Sequence, residues 1–204
     1  VAGRAAAEVA AFREALVARA RSHLGARGPF VVRGARFNPD CSGFVQAVFE
    51  GERVPLRALA QEAAPDSRVG TAATYLAAAA FGQTFGAAGA PAPGDLVFWH
   101  DTYDRNRNRR ADDRFTHVGL VEEVLGDTVV FLHRGSKGVA RGYMTLARPG
   151  EAEDAEGRVL NSPLRERGRA VARAPTLAGA LFAAYGRIDP RRLPGGDPPA
   201  LAAR

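Results

Sequence analysis

One cysteine and four histidines limit where covalent or acid–base chemistry can reside in this 204-residue chain. Cys41 follows Asn38-Pro39-Asp40, a turn ending in a side chain suited to cap a helix. A helix starting there sets the thiol at the positive end of the macrodipole, beside unpaired amide N–H groups that stabilise a thiolate. A lone cysteine is by default a small buried hydrophobe. Here Ser42 and Gly43 follow it and leave room for approach, and histidines downstream supply the base that a thiol nucleophile requires.

His117 opens the run Thr116-His117-Val118-Gly119-Leu120-Val121, whose β-branched content predicts a strand, and His133 closes the next one. The turn between them decides whether the rings meet. A three-residue Val124-Leu125-Gly126 loop sets His117 directly opposite His133, on one face with Gly119 and Phe131. A two-residue Gly126-Asp127 turn sends the two side chains to opposite faces. In the first register His133 can orient the His117 ring. Cys41 and His117 then predict a thiolate–imidazolium pair, with alkylation persisting well below the ~8.5 of a free thiol.

Apolar residues at Val9, Phe12, Leu16, Ala20 and Leu24 predict a first helix over about 4–24, ended by Gly25, Gly28 and Pro29. An extended piece at Phe30–Arg33 precedes the Cys41 helix, expected to run to about Glu50, and a third helix is expected over Thr71–Phe81. The period then changes. Strands are expected at Asp95–His100, Thr116–Val124, Thr128–Arg134 and Val139–Leu146, and a last helix around Leu177, Leu181, Phe182 and Tyr185. Helices first and a meander of strands afterwards is an α+β pattern, expected as one domain over 1–189 with 190–204 a disordered tail.

Composition narrows the classes further. Hydrophobic residues make up 46% and charged residues 25%, unlike a disordered chain, and no run approaches the ~18 apolar residues of a membrane span. A single Cys excludes an intrachain disulfide and any multi-cysteine zinc or iron–sulfur site. The net charge of +6 permits an anionic partner. The Arg residues are scattered or interleaved with Asp, however, and no basic helix with interleaved aromatics argues for nucleic acid. Val1 in place of an initiating Met fits removal of a signal peptide, a larger precursor or an expression artefact alike; no residue run is itself a targeting segment.

Four strings then occur in order: Asn38-Pro39-Asp40-Cys41-Ser42-Gly43-Phe44-Val45, Pro93-Gly94-Asp95-Leu96-Val97-Phe98, Thr116-His117-Val118-Gly119-Leu120-Val121 and Phe131-Leu132-His133. Together they resemble the signature blocks of the NlpC/P60 cysteine peptidases, over about residues 15–145, and less closely those of the CHAP amidases. The resemblance implies a papain-like α+β fold, with a Cys-bearing helix packed on an antiparallel sheet of about five strands. It implies a Cys41–His117–His133 catalytic set and no cofactor. The implied substrates are bacterial cell-wall peptides, commonly cut between D-γ-glutamyl and diaminopimelate residues. An extracytoplasmic location follows from the same resemblance. Asp40 and Ser42 flank the nucleophile and are the expected substrate contacts. Phe30 stands where the family usually has Tyr, so one hydroxyl contact is missing.

Other polar residues have blander readings. Asp104, Asn106, Asn108, Arg110 and Asp112 alternate as in a calcium-binding loop. Arg109 holds the position that needs Gly, however, and Phe115 the one that needs Glu. Five Arg face four Asp over 101–114, which predicts an ion-paired surface loop without metal. His100, Asp101, His117 and His133 lack the short ligand spacing of a zinc site. His23 and Trp99 are expected to pack. Two other readings stand beside the hydrolase: a non-catalytic wall-binding or calcium-responsive module, and a Cys–His amidase or acyltransferase acting on another amide or ester.

Overall fold

A computed structural model describes residues 2–67, 70–165 and 174–194. Helix α1 (Ala2–Ser22) buries Phe12, Leu16, Val17 and Ala20 as the apolar spacing requires, but it ends before Leu24, which is exposed. A hairpin of β1 (Phe30–Val32) and β2 (Ala35–Phe37) leads into α2 (Cys41–Gly51). Two further helices follow, α3 (Leu56–Ala63) and α4 (Thr71–Phe81). The short α3 buries Leu56, Leu59 and Ala60.

The remainder is a six-stranded antiparallel sheet, so the chain is α+β. Its strands are β3 (Gly82–Phe85), β4 (Leu96–Trp99), β5 (His117–Leu125), β6 (Thr128–Gly135), β7 (Gly138–Thr145) and β8 (Phe182–Ile188), in spatial order β3-β8-β4-β5-β6-β7. The extra strands beyond those expected are β3 and β8. The last helix expected from sequence is only the single turn α5 (Ala178–Leu181); the chain then extends as β8 between β3 and β4. Pairing on both sides overrides a local spacing that suits a helix.

Two apolar clusters flank the sheet. On the α2 side, Phe44 and Val48 pack with Leu16 of α1 and with Leu96, Phe98, Val118, Leu120 and Leu132. On the other side, Trp99, Val121, Phe131 and Met144 pack with Leu181 and Tyr185. The Trp99 indole N–H donates to the Ala178 carbonyl at 3.0 Å, so this ring is a packing residue as expected.

Buried charges tie the layers together. Asp95 accepts from Arg13 of α1 and Arg187 of β8, and its second oxygen accepts the Ala92 N–H, which fixes the Pro93-Gly94 turn. After β8, Pro190–Arg192 form a turn of 3-10 helix capped by Asp189, and Arg192 donates to the Gly82 carbonyl. The start of the expected disordered tail is thus structured, while residues 195–204 lie outside the described residues.

Candidate functional site

Cys41 is the first residue of α2, as the turn before it predicts. The Asp40 carboxylate caps the helix, accepting from the Gly43 N–H at 2.7 Å and from the Ser42 hydroxyl at 2.9 Å. Gly43 is needed here, because a Cβ would lie 2.0 Å from the Asn38 carbonyl oxygen and push the turn away from the helix. Ser42 is buried within this cap, whereas Asp40 is exposed beside the thiol. Phe30 is buried with its ring against His23 and Phe44, which leaves it no surface to offer a substrate.

The Cys41 side chain is half-buried. Its sulfur lies 3.7 Å from the Thr71 hydroxyl at the start of α4, and the N–H groups of Val118 and Ser42 also reach it. Val118 directly follows His117, so the start of α2 meets the start of β5. Burial pushes the thiol above its ordinary value. The Thr71 hydroxyl and the Val118 and Ser42 amides pull against that, and the Asp40 charge adds to it. A helix N-terminus contributes only ~0.3–1 kcal/mol, less than one pKa unit, and does not reverse the direction.

The two histidines meet. His117 Nε2 lies 2.8 Å from His133 Nδ1, with the rings edge to face. The register that achieves this is neither of the two expected. The hairpin turn is the two-residue Gly126-Asp127 form, with Leu125 paired to Thr128, which alone would send the rings to opposite faces. A β-bulge between Val121 and Glu123 adds one residue and restores the face. Leu120 then pairs with Leu132, so Gly119 rather than His117 stands opposite His133, and the rings approach along the diagonal. A Cβ at Gly119 would lie 2.9 Å from the Leu132 carbonyl oxygen and 3.3 Å from the His133 Cβ; the missing side chain is what admits the second ring.

The bulge carries Glu122, whose buried carboxylate accepts from Arg21 of α1 at 2.5 Å and from Arg141 of β7 at 2.6 and 2.8 Å. Burial alone would raise this carboxyl. The Arg141 and Arg21 hydrogen bonds outweigh it and hold the group below the usual carboxylate range. Burial drives His117 well below the ordinary histidine value, helped by the neighbouring His133, and pushes His133 down to about 4. Burial thus works against the charged form of the thiol and of both imidazoles, the opposite direction from the one a preformed thiolate–imidazolium pair needs. No hydrogen bond joins the Cys41 sulfur to His117.

The other histidines are structural. His100 Nδ1 accepts the Phe115 N–H at 2.8 Å, and His23 packs edge-on against Phe30 and Phe44. Among the described residues, no group of three or more His, Cys, Asp or Glu side chains is arranged to hold a metal ion. The loop over 101–114 is closed at its base by Thr102, whose N–H and hydroxyl both donate to the Thr116 hydroxyl, at 2.9 and 2.8 Å. Beyond that base, Asp104 accepts the N–H groups of Asn108 and Arg109, and Asp112 accepts from the Asn106 and Asn108 amides. Arg105 pairs with buried Asp113 at 3.7 Å, and the other four Arg form no ion pair among the described residues, which corrects the expected Asp–Arg network.

Two residues near the thiol were not singled out from the sequence. Thr71 arrives from α4, and half-exposed Tyr103 follows Thr102 into electrostatic reach of Cys41 and Asp40. A Tyr in an otherwise polar loop was the one available hint of the second. Among the described residues, no helix is long and apolar enough to cross a membrane. The sequence matches no family model and no curated protein.

Proposed function

We propose that the chain is a papain-like cysteine hydrolase, in which Cys41 is the nucleophile, His117 the general acid–base and His133 the group that orients it. The observation that carries this reading is the 2.8 Å His117–His133 hydrogen bond beside a helix-start thiol that the Val118 amide touches. With its Nε2–H donated to His133, His117 presents Nδ1 as its basic nitrogen. The Cys41 proton passes to Nδ1 as the sulfur attacks the substrate carbonyl, so the ion pair forms during the reaction and not before it. The Cys41 N–H and a neighbouring donor stabilise the developing oxyanion. The C–N bond breaks as the imidazolium protonates the leaving amine. Water, deprotonated by His117, then cleaves the thioester and the thiol regains its proton.

The four sequence blocks support peptidoglycan stem peptides as substrates, with the D-γ-glutamyl–diaminopimelate bond the first to test, and an extracytoplasmic site of action. Digestion of purified wall fragments, with products identified by mass, tests this. Cleavage lost in Cys41→Ala sustains it; a few per cent of wild-type activity in that variant excludes Cys41 as nucleophile. A Cys–His amidase or acyltransferase would leave stem peptides intact and turn over other amides or esters. The upward shift of the thiol and the downward shifts of both imidazoles favour a non-catalytic module if no such substrate is cleaved.

A further inference from the structure

The loop between β4 and β5 leaves unusual charge uncovered. Arg107, Arg109, Arg110 and Arg114 are exposed and form no ion pair among the described residues. The reason lies in the carboxylates. Asp104 is held by two backbone N–H groups, Asp112 by two Asn amides, Asp101 by the Asp113 N–H, and Asp113 by Arg105. These hydrogen bonds leave the carboxylates charged but hold them on the loop's own N–H and amide groups, so the four guanidiniums have no carboxylate as direct partner among the described residues.

The base of this loop is fixed beside the site. Thr102 is bonded to Thr116, the residue before His117, and the Asp101 N–H donates to the Asp113 carbonyl at 2.8 Å. Tyr103, the next residue, sits within electrostatic reach of Cys41 on one side and Arg105 on the other. The loop that carries the four arginines is therefore anchored at the residue before His117.

We propose that the 101–114 loop is the anion-recognition element of this site, its unpaired guanidiniums binding substrate carboxylates that flank the scissile amide. This rests on the hydrolase reading and names the substrate class it prefers: peptides with free carboxylates. Guanidinium forks match carboxylates in geometry, and those without a carboxylate partner in the fold are free to take one from a ligand.

The test replaces Arg107, Arg109, Arg110 and Arg114 together with Gln. The first readout needs no substrate: Cys41 alkylation by anionic iodoacetate against neutral iodoacetamide, at low salt. The iodoacetate-to-iodoacetamide rate ratio should fall about three- to tenfold in the variant, and the two proteins should converge near 1 M salt, where screening acts within ~3 Å. An unchanged ratio overturns the proposal. The second readout is cleavage of stem peptides with free or amidated carboxyl groups. The variant's KM should rise about tenfold for the free form at nearly constant kcat, and not for the amidated form. Equal KM changes for both forms overturn it. Wild-type protein that cleaves neither form defeats the hydrolase reading, and the alkylation ratio still decides whether the loop recognises anions.

Discussion

The β5–β6 hairpin and the 101–114 loop both end at His117, and they hold their shape by opposite means. The hairpin is a hydrogen-bonded ladder with buried side chains on both faces, and its single irregularity is anchored by Glu122 between Arg21 and Arg141. The loop has few apolar contacts and is shaped by Asp and Asn side chains bonded to its own backbone and amides. In the hairpin, charges pair inward and set which face a side chain occupies. In the loop, the acids bond to the loop's own N–H and amide groups and the arginines stay exposed. On the proposed reading, the first region positions the reacting groups and the second meets the substrate's charge.

The largest expected effect therefore comes from the hairpin. His117→Ala should lower wall-peptide cleavage by about 10²–10⁴-fold, the usual contribution of a positioned acid–base. His133→Ala should cost at least about tenfold less, because an orienting group assists the base without replacing it. Purified variants compared by kcat/KM check this. Equal losses would mean that the two rings act as one unit; a larger loss in His133→Ala would reverse their roles.

Glu122→Ala should be next. It removes a buried carboxylate that accepts charge-assisted hydrogen bonds from two arginines, so a loss of roughly 1–3 kcal/mol in urea unfolding is expected. Both guanidiniums are nearly half exposed and recover water, which keeps the cost below that of stranding a buried charge. Loss of cleavage in protein that remains folded would show that the ion pairs hold the bulge, and through it the His117–His133 contact. Unchanged stability would mean that the ladder fixes the bulge unaided.

This bulge also marks where sequence reading ends. Asn38-Pro39-Asp40 announced the helix start because capping is local, and the strands around His117 and His133 were legible from β-branched content. The face shared by the two histidines was inferred from a loop length that the molecule does not use. An exposed-looking Glu in a strand gave no warning that it is buried and bulged, because its partners come from α1 and β7. Leu177, Leu181, Phe182 and Tyr185 have helical spacing, yet Phe182–Ile188 is a strand because β3 and β4 pair with it. Thr71 and Tyr103 reach the thiol by long-range routes that no local pattern encodes.

Titration gives a smaller effect. A histidine lowered to about 4 in the fold, against ~6.5 unfolded, takes up fewer protons than the unfolded chain between those values. Its contribution is therefore fully present above about 6.5 and is lost as pH falls toward about 4. Urea midpoints should decline across this window in the wild type and less steeply in His133→Gln. The thiol moves the other way. Alkylation of Cys41 by iodoacetamide should follow a single ionisation at or above the ordinary thiol range, little changed in His117→Ala. A fast acid-side limb that disappears in His117→Ala would restore the preformed ion pair.

The smallest expected change tests the loop half of the comparison. Replacing Arg107, Arg109, Arg110 and Arg114 together with Gln should alter folding stability by less than about 0.5 kcal/mol, the usual range for surface substitutions. Among the described residues none of the four guanidiniums forms an ion pair, and the carboxylates that shape the loop bond to backbone and Asn groups that remain. The change exchanges repulsion among the four arginines for repulsion among the four Asp of the same loop, so any shift should be small and should be larger at low salt. Urea unfolding at two ionic strengths measures both features. A loss above 1 kcal/mol would mean that the arginines hold the loop in place, and the division between a structural hairpin and a recognition loop would fail.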